Sequence, residues 1–65
     1  MSLLKGGSRK EIKNVLRNAG RPLSQEEISR RTSMTPEETR ETVISLVDQG
    51  ELVSTLDWKY KLADN

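Results

Sequence analysis

The sequence predicts a mostly α domain with a small β-hairpin, of the α+β class, on three observations. Apolar residues recur at helical spacing in three successive segments, and each segment follows a residue suited to capping a helix. After Gly50 the pattern changes to strict alternation. A chain of 65 residues has room for one small core and no second.

Lys5-Gly6-Gly7-Ser8 reads as the end of a flexible lead-in or linker over residues 1–7, with Ser8 as the first cap. Ile12, Val15, Leu16 and Ala19 then form one apolar stripe, and Gly20 stops the helix. Arg21-Pro22-Leu23 is an extended connector, since proline restrains itself and the residue before it, and the bridge at Pro22-Leu23 is expected to pair beside the hairpin. Ser24 with Glu27 makes a capping box for a short helix over 25–31, and Leu23 with Ile28 has the spacing of a hydrophobic staple. Thr35, Pro36 and Glu38 repeat the signal for a third helix, which turns Thr39, Val43, Leu46 and Val47 inward and ends at Gly50. Only Thr32, Ser33 and Met34 separate helix two from the second cap, the length of a helix-turn-helix corner. Leu52 to Thr55 and Trp58 to Leu62 read as paired strands with Leu56-Asp57 as the turn. Trp58, Tyr60 and Leu62 fall on the inward phase, so core packing is the expectation for both aromatics. The domain then spans residues 8–63, with 64–65 as a tail. Its expected buried cluster is Ile12, Leu16, Ile28, Val43, Leu46, Leu52, Tyr60 and Leu62.

Composition narrows the function. Eleven basic and ten acidic residues leave a net charge of +1, which predicts no polyanion partner by itself. Cysteine and histidine are both absent, which removes disulfides, thiolate metal sites and the commonest general base. The remaining carboxylates sit at helix starts as caps, so the chain reads as no enzyme, with no cofactor, no metal and no small-molecule substrate. No apolar run has the length of a membrane span or a secretory signal, and the expected setting is intracellular, cytoplasmic or nuclear.

The order helix, extended bridge, helix, corner, helix, hairpin resembles the winged helix-turn-helix family. The likeness is carried by Pro22-Leu23-Ser24 with Glu27-Ile28, Met34-Thr35, Leu46, Gly50-Glu51-Leu52-Val53 and Tyr60-Lys61-Leu62, over about residues 8 to 63. Thr32 and Ser33 depart from it, standing where a leucine and a glycine are usual. The resemblance implies three helices with a two-stranded wing, and a DNA-binding module of transcription-regulation or DNA-replication type. Double-stranded DNA would be met by Arg40 and Ser45 on helix three and by Lys59 and Lys61 on the wing. Lys5, Arg9 and Lys10 near helix one would reach the backbone, for weak duplex binding. A fainter likeness, on Arg21-Pro22, Gly50-Glu51-Leu52 and Ser54-Thr55-Leu56-Asp57, is to the winged-helix tail of the middle subunit of replication protein A. It implies a protein partner instead.

Charge placement divides these two expectations. Residues 5 to 21 hold six basic groups and one acid, whereas 36 to 49 hold four acids and Arg40 alone. An acidic reading helix opposes binding to phosphate. The alternative is that Glu37, Glu41, Ile44 and Asp48, on the outward face of helix three, dock a basic amphipathic protein segment.

Overall fold

The computed structural model describes the backbone of residues 2–64 and the side chains of residues 9–64. Its elements are α1 (Ser2–Ala19), β1 (Leu23–Ser24), α2 (Gln25–Arg31), α3 (Pro36–Asp48), β2 (Leu52–Ser54) and β3 (Lys59–Leu62). The strands form one antiparallel sheet in the order β1-β3-β2. Three helices and a three-stranded sheet are thus present, with the bridge after Pro22 pairing beside the hairpin along the free edge of β3, as expected. Among the described residues no helix is long and apolar enough to cross a membrane.

Both capping boxes form. Ser24 Oγ accepts from the Glu27 N–H at 3.2 Å while the Ser24 N–H donates to Glu27 Oε1 at 3.0 Å. Thr35 and Glu38 make the same exchange at 3.1 and 3.0 Å, and Pro36 occupies the first turn of α3, where no N–H is missed. Helix α1 differs from expectation: it begins at Ser2 and runs through Gly6 and Gly7 instead of starting after Ser8. Two glycines weaken a helix but do not stop it when good formers such as Leu3, Leu4 and Lys5 precede them and the next turns are already helical. Asn65 lies outside the described residues.

The core joins Ile12 and Leu16 of α1, Leu23, Ile28 of α2, Met34, Val43 and Leu46 of α3, Leu52 and Leu62, with Val15, Ala19, Val47 and Tyr60 packed against it. Leu23 and Met34 belong to this cluster in addition to the stripe residues. Among the described residues Thr39 is the only buried polar side chain, and its hydroxyl donates to the Thr35 carbonyl at 2.9 Å. The corner holds despite Thr32 and Ser33. Thr32 Oγ1 donates to the Ser29 carbonyl and accepts from the Met34 N–H, both at 3.3 Å, and the Ser33 N–H donates to Glu11 of α1 at 3.2 Å.

Two carboxylates stand below their ordinary range. Glu27 is lowered first by the bond from the Ser24 backbone and then by Arg21 and Lys59. Glu51 is lowered by the 2.6 Å bond from Lys13, which ties α1 to the start of β2. A depressed carboxylate adds stability that is complete above its unfolded value and is lost as pH falls through its folded value. The unfolding midpoint should therefore decline on acidification below the usual carboxylate range. In the double variant Glu27→Gln, Glu51→Gln that decline should be shallower. Parallel melts of both proteins, followed by circular dichroism, check this; identical slopes would remove these two groups from the acid response.

The hairpin carries the largest departure from expectation. Trp58 was expected inside, yet it is 85% exposed and outside β3. Its N–H bonds the Thr55 carbonyl at 3.2 Å and the Thr55 N–H bonds the Lys59 carbonyl at 2.7 Å. The link is thus a turn over Thr55 to Trp58 with its last residue left-handed, at φ 64, and not a two-residue turn at Leu56-Asp57. The left-handed step breaks the alternation that would have returned Trp58 to the core. That position favours glycine, and a side chain there costs about 1–2 kcal/mol.

Candidate interaction surface

Helix α3 presents one outward stripe built by its own periodicity. Glu37, Glu41, Ile44 and Asp48 lie along it and all four are exposed, Ile44 at 54%. Ile44 is therefore outside the core, as its position on the wheel predicts. Beside this stripe, on the side of the sheet, lies a shallow groove of about 270 Å³ lined by Ile44, Val47, Asp48, Ser54 and Tyr60. The sheet register explains its far wall. Ser54 pairs with Tyr60 and Leu52 with Leu62, so these four residues share the face turned to the helices. Leu52 and Leu62 are buried against the helices, whereas Tyr60 and Ser54 extend past the core and remain partly open. The groove is apolar along its floor and acidic at its helix edge.

Asp48 is out of place by local rules. It sits in the last turn of α3, where the dipole favours cations, and that turn contains no basic residue. Glu37 and Glu38, at the opposite end, are where the dipole favours them.

The residues expected to meet DNA lie on three elements, α1, α3 and β3. Ser45 is half-buried and its hydroxyl accepts from Arg9 Nη2 at 2.7 Å, while Arg9 Nη1 donates to Gln49 at 3.2 Å. Arg9 thus links α1 to the last turns of α3. Lys59 and Lys61 pair with Ser24 and Val53, on the sheet face opposite Tyr60, so they do not line the groove. Arg40 and Lys10 are exposed on separate helices. The side chain of Lys5 lies outside the described residues.

Sequence reasoning missed the hairpin tip, where Leu56 is 99% exposed beside the 85% exposed Trp58. One signal was available: the Leu56-Asp57 turn lacks the glycine that a two-residue hairpin needs. The Arg9–Ser45 clamp had no sequence signal, since the partners are 36 residues apart. Comparison of the chain with family models, with characterised proteins and with solved structures finds no match.

Proposed function

We propose that this chain is a non-enzymatic winged helix-turn-helix module that binds proteins, and that the groove between α3 and the hairpin receives a basic amphipathic segment. The observation that carries this reading is the apolar groove formed by Ile44, Val47 and Tyr60, with Asp48 at its edge. Glu41 and Glu37 continue the acidic rim along α3. An apolar strip beside acids is complementary to a helix with one apolar and one basic face. The Arg9–Ser45 bond supports the same reading, because it turns the Ser45 hydroxyl toward α1.

Duplex DNA is the second reading, favoured by Arg40, Lys59, Lys61 and Lys10, none of which has an ion-pair partner among the described residues. So few cations would neutralise few phosphates and hold duplex weakly, with Kd of about 10⁻⁴ to 10⁻⁶ M at physiological salt.

The test is an NMR titration with a Leu/Lys amphipathic helical peptide, and separately with duplex DNA. With the peptide, shifts should concentrate at Ile44, Val47, Ser54 and Tyr60. Ile44→Ala should leave the fold intact and weaken peptide binding about 5- to 30-fold, the equivalent of about 1–2 kcal/mol, since only the exposed half of Ile44 is left for a partner to bury. Shifts confined to Arg40, Lys59 and Lys61, seen with duplex alone, would reject the groove in favour of DNA.

A further inference from the structure

We infer that the hairpin tip is the knob for this groove, and that two copies of the chain associate by seating Leu56 and Trp58 of one copy in the α3–hairpin groove of the other. The inference rests on the groove being a docking surface, as proposed above, but it names a different occupant.

Three features support it. First, the tip is built for contact and not for stability. Trp58 occupies a left-handed position that suits glycine, and with Leu56 it exposes two large apolar side chains at adjoining places in one turn. Neither is needed by the core, which closes without them. Residues that break a local rule with no structural return are the ones to suspect of binding. Second, the sizes match. About 270 Å³ is below the roughly 300–1,000 Å³ of small-molecule pockets, and it suits one or two side chains. Third, the charges are complementary. The tip adjoins Lys59 and Lys61, with Asp57 as the single acid, whereas Asp48 lines the groove and Glu41 and Glu37 lie farther along the same outward stripe of α3.

Knob and hole lie on the same hairpin, because Ser54 and Tyr60 of the groove wall flank the turn that carries Leu56 and Trp58. A two-fold arrangement can therefore satisfy both contacts at once, giving a closed dimer instead of a chain of copies. Two tips bury less than the roughly 1,200 Å² of a standard interface, so the association is weak and reversible.

Trp58 is the sole tryptophan, so its emission reports the tip directly. Sedimentation equilibrium from about 10 µM to about 1 mM should show the mass rising from that of one chain, 7.4 kDa, toward twice that value. Trp58 emission should shift to the blue over the same range, and added salt should weaken both changes. Trp58→Gly should remain a monomer while melting at a temperature no lower than the parent, since glycine suits the backbone there. Leu56→Ser tests the tip without touching that backbone position and should weaken association likewise. Ile44→Arg should block the groove and also give a monomer. Mixing Trp58→Gly with Ile44→Arg leaves one intact tip and one intact groove, and should restore part of the association. A constant single-chain mass up to about 1 mM would overturn the proposal. So would association that persists in both tip variants, or a mixture that stays monomeric. Peptide binding to the groove by a chain that never self-associates would leave the functional reading standing and remove this one.

Discussion

Leu46→Ala is expected to lower the unfolding free energy by about 2–5 kcal/mol, the cost of deleting buried methyl groups and leaving a cavity. Leu46 has no exposed surface and sits where α3 meets the rest of the core, with Ile12, Leu52 and Leu62 in the same cluster. A domain of this size has about 5 kcal/mol in total, so the variant should be largely unfolded at moderate temperature. Far-ultraviolet circular dichroism against urea is the right measurement, because the exposed Trp58 would report folding poorly. The control is Leu56→Ala, the same chemical change at a side chain that is 99% exposed. It should alter stability by less than about 0.5 kcal/mol. A loss below about 0.5 kcal/mol for Leu46→Ala as well would mean that α3 packs through a different face.

That contrast also shows what could be read from the residues alone. Leu46 is legible because helix period, the Thr35-Pro36-Glu38 start and the Gly50 stop all place it on the same inward stripe. Ile44 is legible for the same reason, two residues earlier and on the other side of the wheel. The limits appear wherever a contact is made between elements distant in sequence. Ser45 looks available on the helix wheel and is taken by Arg9 of α1. The two-residue strand β1 has no alternation of its own, yet its pairing beside the hairpin was legible from the extended Pro22-Leu23 bridge. Trp58 has the right phase for a strand, yet one left-handed residue puts it outside. Alternation describes a strand only while its backbone stays extended, so a single dihedral at the turn outweighs the pattern that follows it.

Neutralising the acids of α3 should separate the two functional readings by sign. Glu37→Gln, Glu41→Gln and Asp48→Asn, made together, leave the apolar floor of the groove unchanged and remove three negative charges from its helix edge. For a basic amphipathic peptide the triple variant should bind about tenfold or more weakly at low salt. The parent's salt dependence should also flatten, because the acids act through attraction at a distance more than through buried contacts. For duplex DNA the same variant should bind more tightly, since each acid repels phosphate. The fold should tolerate the change. Removing Glu37 loses a favourable interaction with the positive end of α3, while removing Asp48 relieves an unfavourable one at the negative end, and the two effects oppose each other. Melting curves establish that balance before binding is measured. Two places in this chain go against local preference without any gain to the core: Asp48 in the last turn of a helix that has no basic residue of its own there, and Trp58 in a glycine conformation at an exposed turn. Stability alone would have replaced both. They lie at the groove edge and at the hairpin tip, and a binding role for this surface accounts for the two together. If peptide affinity is unchanged in the triple variant and duplex affinity rises, Asp48 is left without that account and α3 becomes a DNA-facing helix.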